Sequence, residues 1–333
     1  MHLISVITPV HNSERFVGDC IDSVLAQSYD EWEQIIVDDG STDRTAEAVA
    51  GFNDPRIKYI RLPHRGISAL AETYNVALSA ARGSLVAVLE GDDFWPQDKL
   101  ALQVPTFDDS EVQISWGDAI IADSNGRPVR AWPRSAARAT EVGLDVLFKE
   151  LTCANILTPT VTVMVRRSAL DAVGGFQQPA GALFVDLPTW LKIAIHVSGK
   201  ARRIRKLLGY YRVHSEQISS LNYDAYQTAQ ARIVAATIGE CSRDALLRVG
   251  WDDVARRRSH VRSELATGVA LLKRGRLREA RRALLPALAH PDSARTFTRA
   301  ALGVLSTLVS VDLVGVADAA RRLSSALALK LSR

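Results

Sequence analysis

The chain opens with a regular alternation of short apolar runs and segments in which apolar residues recur every three or four positions. Short apolar runs between polar residues are typical of buried strands, and the longer spacing is typical of amphipathic helices. Such an alternation predicts a parallel sheet with helices on both faces. The predicted strands are Ile4–Thr8, Glu33–Val37, Ile57–Ile60 and Leu85–Leu89, and the predicted helices are Ser13–Gln27, Thr42–Gly51 and Ile67–Ala81.

The pattern becomes less regular after about residue 110, where prolines interrupt it. The segments Val112–Trp116 and Ala119–Ala122 predict two short strands before a turn at Asn125 and Gly126. The β-branched segment Val161–Val165 predicts a strand that rejoins the sheet. The last elements predicted in this part are a helix at Asp186–Val197 and a strand at Leu207–Val213.

Beyond about Asn222 the strand signal disappears and only helical spacing remains. The segments Val254–Lys273 and Leu277–Ala289 predict two helices joined at Gly275, similar to one hairpin of a tetratricopeptide repeat. A repeat array needs about three such units, so one hairpin does not predict a solenoid. We therefore predict an α/β domain over residues 1–220 and a helical C-terminal region over residues 221–333.

The composition is that of a globular chain. Hydrophobic residues make up 47% of the 333 residues, which is enough for a sizeable core. The three cysteines are far apart and lack the spacing of a metal site, so we expect reduced thiols. The first apolar run has no Lys or Arg before it and ends at Pro9, and no apolar stretch reaches the length of a membrane span. These features predict a cytoplasmic location.

Charge is unevenly distributed along the chain. The whole chain carries 41 Lys and Arg against 37 Asp and Glu, a net charge of +4. From Cys241 onward there are 18 basic and 8 acidic residues, a net charge of +10, which leaves −6 for the first 240 residues. The basic region suits peripheral contact with anionic lipid at the inner face of the membrane, and an Arg-rich solvated surface explains it equally well. Nucleic acid is a poor partner, because the first part is acidic and has no recognisable nucleic-acid motif.

Three carboxylates follow the fourth predicted strand, in the stretch V-L-E-G-D-D-F-W-P. Ligands of parallel α/β sheets bind beyond the C-terminal ends of the strands, where Glu90, Asp92 and Asp93 are expected. The segments T-P-V-H-N-S and V-D-D-G-S-T-D, after the first two strands, are expected at the same edge. Neither G-x-G-x-x-G nor a P-loop motif is present, which excludes those phosphate sites. Crowded carboxylates attract a divalent cation, and Mg²⁺ or Mn²⁺ bridges carboxylates to a diphosphate.

Seven segments match, in order, those of one enzyme family. They are S-V-I-T-P-V-H-N-S (5–13), I-I-V-D-D-G-S-T-D-R-T (35–45), H-R-G-I-S-A-L (64–70), V-L-E-G-D-D-F-W (88–95), V-G-G-F (173–176), D-L-P-T-W-L (186–191) and Y-R-V-H-S-E-Q-I-S (211–219). Over about residues 3–220 the chain thus resembles the family 2 glycosyltransferases, inverting enzymes of the GT-A fold. The resemblance implies a Rossmann-like, mixed and mostly parallel sheet flanked by helices. It also implies transfer of a sugar from a nucleotide-diphosphate donor, usually a UDP-sugar, to a saccharide or lipid-linked hydroxyl acceptor in cell-surface polysaccharide or glycolipid synthesis.

The resemblance assigns roles to individual positions. Asp186 corresponds to the catalytic base, and Asp92 corresponds to the metal-binding aspartate of the D-x-D signature, which holds Mn²⁺ or Mg²⁺. Arg212 and His214 correspond to a segment that closes over the diphosphate, with His214 also a metal ligand. Trp190 is assigned to the acceptor side. The implied nucleotide-binding residues are Pro9 and Val10 through their backbone, Asp38, Asp39, Arg65, and Asp93, which contacts either the metal or the sugar.

Two positions depart from the family pattern. The first acid of the D-x-D signature is Glu90, whose longer side chain is expected to help order the site rather than to bind the metal directly. The acid that normally precedes the base is Val185. This change removes a polar partner near the acceptor and is expected to raise the pKa of Asp186 by desolvation.

Structural explanations remain open for several of these residues. Asp38, Asp39 and Asp43 stand where they can cap the helix predicted from Thr42, and Asp186 stands where it can cap its own helix. The other structural alternatives are a solvated turn for residues 90–93, a surface position for His214, and a core position for Trp190. Trp95 is expected either in the core or stacked on the sugar.

Two other functions are compatible with the predicted fold. A nucleotidyltransferase that forms nucleotide sugars shares the alternation of strands and helices and a metal, but it normally needs a glycine-rich basic loop after the first strand. The stretch P-V-H-N-S-E-R lacks such a loop. A non-catalytic nucleotide-binding module is the third hypothesis, and its support in the sequence is Glu90 and Val185.

Overall fold

A computed structural model describes residues 2–133, 140–217, 232–272, 274–291, 293–309 and 313–314. Its first part alternates strands and helices in the predicted order. The strands are β1 (Ile4–Val10), β2 (Trp32–Asp39), β3 (Ile57–Leu62), β4 (Leu85–Val88), β5 (Val112–Ala122), β6 (Pro128–Ala131), β7 (Glu141–Gly143), β8 (Met164–Arg166) and β9 (Lys200–Arg212). The helices of this part are α1 (Val17–Leu25), α2 (Thr45–Ala50), α3 (Leu70–Ala80), α4 (Lys99–Gln103), α5 (Leu144–Leu151), α6 (Arg167–Asp171) and α7 (Asp186–His196).

Within the described residues the strands form one nine-stranded sheet of order β3-β2-β1-β4-β8-β5-β9-β7, with β6 paired to β5. Strands β1 to β4 are parallel to one another, and so are β5 and β9, whereas β8 runs antiparallel between β4 and β5. This mixed, mostly parallel sheet confirms the predicted fold class. Because β2, β1 and β4 are adjacent and parallel, their C-terminal ends lie side by side at one edge.

The end of β1 is held in place by an apolar cluster beneath α1. Val17 and Ile21 of α1 pack with Val10 of β1 and Ile36 of β2, and all four side chains are buried. Burial of such a side chain contributes about 1.5–3 kcal/mol to folding. The two strand ends that carry the first polar segments are therefore fixed relative to each other.

The structure joins two predicted strands into one. β5 runs without a break through Val112–Ala122, and its pairing with β9 shifts register at Gly117. A Cβ atom on Gly117 would come 2.5 Å from Cδ1 of Leu208, so the glycine lets the strand pass its neighbour at this point. The sequence pattern weakens at the glycine, although the strand continues.

Two other strands begin away from their predicted positions. β9 begins at Lys200 and not at Leu207, because its basic side chains meet acids across the strand, as Arg202 does with Asp109 and Glu141. The segment predicted as the strand Val161–Val165 begins as a 3₁₀ turn, Thr160–Thr162, and β8 starts only at Met164. Local hydrophobic alternation therefore missed the first part of β9 and predicted a strand where the 3₁₀ turn lies.

The described residues fall into two compact units, one up to Gly250 and one from Trp251. A helix over residues 232–239 (α8) and α9 (Arg243–Arg248) belong to the first unit. The second contains α10 (Asp253–Leu272), α11 (Leu277–Ala289) and α12 (Ala294–Val309), one helix more than the predicted hairpin. Cβ atoms on Gly268 of α10 and Gly303 of α12 would come 2.4 and 2.7 Å from Leu284 of α11, so the three helices meet at this leucine. The predicted boundary at residue 220 lies outside the described residues.

Among the described helices, none has both the length and the apolar character needed to cross a membrane.

Candidate active site

The polar segments after β1, β2 and β4 meet at one edge of the sheet, as predicted. The carbonyl oxygen of Pro9 accepts a hydrogen bond from the N–H of Gly91 at 3.2 Å. A Cβ atom on Gly91 would come 2.4 Å from Cγ1 of Val10. The acidic turn after β4 therefore lies directly against the backbone of Pro9 and Val10, and glycine makes this close approach possible.

Asp38 holds the loop that follows β2. Its side chain has no exposed surface, and its Oδ1 accepts hydrogen bonds from the N–H and the hydroxyl of Ser41 at 2.8 and 2.6 Å. Its Oδ2 accepts a hydrogen bond from the hydroxyl of Tyr59. Both carboxylate oxygens thus stabilise the loop from within.

Asp39 joins the ends of two loops. Its Oδ1 and Oδ2 accept hydrogen bonds from the backbone N–H groups of Arg65 and Gly66, each at 2.9 Å. Its carbonyl oxygen lies 2.8 Å from Nδ1 of His11 and 2.9 Å from Nδ1 of His64. The two imidazole rings stack with their centroids 4.4 Å apart. Asp39 therefore holds a stacked pair of histidines at the sheet edge.

Arg65 meets this loop through its backbone. Its side chain is half exposed and its guanidinium forms an ion pair with Glu72 of α3. The predicted contact of Arg65 with the nucleotide stays a prediction. Asp43 has a different position, since its carboxylate accepts a hydrogen bond from the N–H of Thr45 at 3.0 Å and so caps the start of α2.

Glu90, Asp92 and Asp93 form an acidic cluster in which one oxygen from each lies within 4.8 Å of the others. Burial and the nearby charges of Asp92 and Glu90 raise the pKa of Asp93 well above its usual range. Burial and the charge of Asp92 raise the pKa of Glu90 to about 7, although the hydroxyl of Tyr74 donates to it at 2.6 Å. Burial and mutual repulsion thus disfavour ionisation of these carboxyl groups, and a bound cation would favour their ionised form.

His214 lies two residues after the end of β9 and faces this cluster. Its Nε2 lies 3.1 Å from Oδ2 of Asp92, and its Nδ1 is buried without a hydrogen-bond partner. Oδ2 of the buried Asp93 also lacks a partner. Carboxylate oxygens with one imidazole nitrogen are a donor set suited to Mn²⁺ or Mg²⁺, so the residues present fit a divalent cation.

Arg212 is buried, and each of the three nitrogens of its guanidinium donates a hydrogen bond to a protein acceptor. It donates to the carbonyl oxygen of Asp92 at 2.7 Å, to that of Ser124 at 3.2 Å, and to the carboxylate of Asp19 at 2.7 Å. Its backbone N–H donates to Asp93 at 2.8 Å. The structure therefore gives Arg212 a different part from the predicted contact with the diphosphate, because its guanidinium supports the turn that carries the acids.

Both tryptophans named above lie in the core. Trp190 has no exposed surface and packs edge-on against Phe176, with ring centroids 6.3 Å apart. Trp95 is 4% exposed and donates to the carbonyl oxygen of Val161 at 2.8 Å. The predicted contact of Trp190 with the acceptor does not fit this arrangement, because no surface of its ring is open.

Asp186 is the first residue of α7 and is only 6% exposed. Its Oδ2 accepts hydrogen bonds from Nδ2 of Asn155 at 2.6 Å and from the hydroxyl of Thr160 at 3.4 Å. Its Oδ1 is buried and has no hydrogen-bond partner. Burial raises the pKa of Asp186, and the backbone of Leu187 and the side chain of Asn155 oppose that shift. Hydrogen bonds thus hold the carboxylate at Oδ2, whereas Oδ1 accepts none.

Asp186 lies within electrostatic reach of the acidic cluster. Its charge contributes to the raised pKa of Glu90 and to that of the buried Tyr74. The start of α7 and the turn after β4 therefore lie in one region, although Glu90 and Asp186 are 96 positions apart in the sequence. The sequence patterns assigned no role to Tyr74, Asn155 or Thr160, nor to His11 and His64 within the matched segments, because their roles follow from tertiary contacts.

A mixed, mostly parallel sheet with a cluster of acids at the C-terminal edge of its strands is the arrangement of glycosyltransferases with the GT-A fold. The comparisons with known proteins agree. The model of the family described as "Glycosyl transferase family 2" matches residues 5–174. The chain belongs to this family.

Three similar proteins illustrate the relationship. The teichuronic acid biosynthesis glycosyltransferase TuaG of Bacillus subtilis is 32% identical over 225 residues, which cover 67% of this chain and 84% of TuaG. The Escherichia coli β-1,3-glucosyltransferase WfgD is 35% identical over 124 residues, 37% of this chain and 48% of WfgD. The structure of the mannosyltransferase PcManGT from Pyrobaculum calidifontis aligns with a TM-score of 0.56 at 19% identity, covering 94% of this chain and 87% of that one. The last likeness shows the fold alone.

Proposed function

We propose that the protein is an inverting, metal-dependent glycosyltransferase that moves a sugar from a UDP-sugar to a hydroxyl acceptor in the synthesis of a cell-surface polysaccharide or glycolipid. The full name of WfgD specifies UDP-Glc as donor and a diphosphoundecaprenol-linked GlcNAc as acceptor, and that of TuaG specifies teichuronic acid biosynthesis. These names support a UDP-sugar donor and a saccharide or lipid-linked acceptor. We assign catalysis to the α/β domain, about residues 1–220.

The observation that carries this proposal is the position of Asp186. It is a buried carboxylate with one unpartnered oxygen, within electrostatic reach of the acids at 90–93. A single displacement with inversion needs one base beside the attacking hydroxyl. Burial that raises the pKa of Asp186 makes it a stronger base once it is ionised.

The reaction needs one base to take the acceptor proton and one leaving group to take the electron pair of the broken bond. The acceptor oxygen forms a bond to the anomeric carbon as its proton moves to Asp186. The bond between that carbon and the phosphate oxygen breaks, and its electron pair leaves with the nucleoside diphosphate. No covalent intermediate with the protein is required.

Asp92, with Asp93 and His214, would hold the divalent cation beside the diphosphate, and Glu90 would keep the cluster ordered through its hydrogen bond to Tyr74. When bound, Mn²⁺ or Mg²⁺ supplies neutralisation of the negative charge on the leaving diphosphate. PcManGT is named in complex with GDP-Man and Mn²⁺. Arg212 acts here as a support for the acidic turn.

We place the nucleotide base against the backbone of Pro9 and Val10, beside the loop that Asp38 and Asp39 hold together. Pro9 is partly exposed at the end of β1 and borders the acidic turn. A base at this position would leave its diphosphate near Asp92. Arg65 would flank the nucleotide from the loop that its N–H joins to Asp39.

A thermal-shift panel tests the donor and the metal together. Wild-type protein and Asp92→Ala are heated with UDP, GDP, dTDP or CDP, with and without Mn²⁺. Asp30→Ala is the control, because Asp30 is exposed and lies before β2, at the opposite edge of the sheet. We expect a Mn²⁺-dependent stabilisation by UDP that Asp92→Ala loses and Asp30→Ala keeps.

Turnover is then measured with UDP-glucose, UDP-N-acetylglucosamine and GDP-mannose, following release of the nucleoside diphosphate. No metal-dependent shift and no turnover would refute the transferase proposal. Nucleotide binding without turnover would favour a non-catalytic module. Release of pyrophosphate from a nucleoside triphosphate and a sugar phosphate would favour a nucleotidyltransferase.

We also propose that the helical C-terminal region makes peripheral contact with anionic membrane, which would bring the enzyme near a lipid-linked acceptor. Its arginines are exposed on helices α10 and α11 and in the turn between them. Co-sedimentation with vesicles of phosphatidylglycerol, compared with phosphatidylcholine, is expected to be specific for the anionic lipid and weakened by salt. Equal recovery with both lipids would exclude this contact. The arginines are Arg256, Arg257, Arg258, Arg274, Arg278, Arg281 and Arg282.

A further inference from the structure

Asn155 lies in the irregular segment between α5 and the 3₁₀ turn at Thr160–Thr162, a region in which the sequence offers no recognisable motif. Its Nδ2 is the donor of the 2.6 Å hydrogen bond to Oδ2 of Asp186. Its Oδ1 accepts a hydrogen bond from the N–H of Leu157 at 3.3 Å. The two contacts fix the orientation of the amide, because only the NH₂ group can face a carboxylate as a donor.

The two oxygens of Asp186 are therefore unlike each other. Oδ2 receives Asn155 and, at a longer distance, the hydroxyl of Thr160, while Oδ1 is buried without a partner. A buried acceptor without a donor costs free energy, and such groups in folded proteins call for a functional explanation. The residue before it, Val185, offers an apolar side chain, so the described polar side chains on Asp186 come from Asn155 and Thr160.

We infer that Asn155 is a positioning residue, whose hydrogen bond to Oδ2 fixes the orientation of the Asp186 carboxylate that takes the proton of the acceptor hydroxyl. This inference rests on the proposed function, in which Asp186 is the base. Anchoring one oxygen fixes the direction of the lone pairs on the other. Positioning of this kind makes a large contribution to rate, since small displacements of a catalytic group are costly.

Charge swapping at the two positions provides the test. Asn155→Asp places a second carboxylate 2.6 Å from the first, so one of them must be protonated or the pair must move apart. The double variant Asn155→Asp with Asp186→Asn restores one carboxylate and one amide across the same contact. Glu90 and Tyr74, the other titratable groups coupled to Asp186, are unchanged in all variants. Asn53→Asp is the control, because Asn53 is exposed and precedes β3, away from the site edge.

The first readout is the melting temperature at pH 5 and pH 8, which needs no substrate. Asn155→Asp should lose about 3 °C or more at pH 8 relative to pH 5, beyond any change in Asn53→Asp. The swapped double variant should recover most of this loss. An Asn155→Asp protein that melts like Asn53→Asp at both pH values would show that the contact is absent and would overturn the inference.

The second readout is the pH profile of turnover for the fastest donor of the panel. The acid limb of Asn155→Asp should move to higher pH, while the KM for the donor stays within about twofold, because Asn155 touches the base and not the nucleotide. The swapped variant should stay inactive, since its carboxylate is on the wrong element. An unshifted limb would refute the positioning role. Full activity in Asp186→Asn alone would instead refute the base of the proposed function.

Discussion

Nε2 of His214 lies 3.1 Å from Oδ2 of Asp92, which ties the end of β9 to the acidic turn after β4. The two residues are 122 positions apart in the chain, yet both face the region assigned to the divalent cation. The ring of His214 is also packed against Phe16, with centroids 4.5 Å apart, so its direction is set by packing. His214 is thus placed either to bind the cation or to orient its carboxylate ligand.

Replacing His214 is expected to weaken the binding of Mn²⁺. His214→Ala removes an imidazole nitrogen beside Asp92, and loss of a ligand or of its orienting partner costs about 10–100-fold in metal affinity. The measurement is a Mn²⁺ titration of the UDP-induced thermal shift. His290→Ala, an exposed histidine of the second unit, serves as the control and should bind Mn²⁺ like the wild-type protein. Equal Mn²⁺ affinity in both variants would remove His214 from the metal site.

Gly91 lets the acidic turn pack directly against the end of β1, because glycine has no side chain beyond hydrogen. Gly91→Ala would place a Cβ atom 2.4 Å from Cγ1 of Val10, so we expect a loss of about 1–3 kcal/mol in stability and a displaced cluster of acids. Gly18→Ala is a matched control in α1, where no atom lies within 4 Å of the added Cβ. That change should stabilise the protein by about 0.5–1 kcal/mol. Urea unfolding compares the two, and a neutral Gly91→Ala would show that the turn is not packed against β1.

The sequence predicted the parts of the site that depend on local pattern. The acids at the end of β2 and after β4 stand where a strand ends, and the sequence predicts this position because apolar runs mark strand ends well. The supporting role of Arg212 could not be predicted from the sequence, since its acceptors on Asp19, Asp92 and Ser124 come from three separate segments. Trp190 shows the same limit, because a helix pattern does not reveal which side of an aromatic ring becomes fully covered.

The predicted start of β9 was wrong for a related reason. The first half of β9 is rich in basic residues, and the acidic partners of these residues, among them Asp109 and Glu141, lie in other segments. Such a strand gains its stability from cross-strand pairs and not from its own hydrophobicity. The sheet order and the pairing of β5 with β9 could likewise not be obtained from local spacing.

Arg212 is expected to contribute to stability more than to ligand contact. Arg212→Met keeps an apolar stem beside Phe16 and Phe94 but removes the donors to Asp92 and Ser124, so we expect a loss of about 2–4 kcal/mol. Arg65→Met is the comparison, because the Arg65 side chain is half exposed and its ion pair is worth about 1 kcal/mol or less. Urea unfolding should separate the two variants clearly. If both lost the same small amount, the support role of Arg212 would be wrong.

Asp186 should make the protein less stable as the pH rises. Burial raises the pKa of its carboxyl in the folded state, so the favourable term is fully present below the unfolded pKa of about 3.9 and is lost as the pH passes through the folded pKa. Asp186→Asn cannot ionise and keeps the hydrogen bond from Asn155, so it should melt at a higher temperature than the wild-type protein at pH 8. The difference should shrink towards pH 4.

Catalysis should change in the opposite direction. An amide cannot accept the acceptor proton, so turnover of Asp186→Asn should fall by about 10²–10⁴-fold while nucleotide binding with Mn²⁺ is retained. Asp171→Asn is a suitable control, because Asp171 ends α6 and its exposed carboxylate pairs with Arg167. That variant should keep both its turnover and the wild-type dependence of melting on pH. A gain in stability together with a loss of turnover in Asp186→Asn would identify a carboxylate whose burial is kept for its chemistry, whereas a loss of both would indicate a structural role at the start of α7.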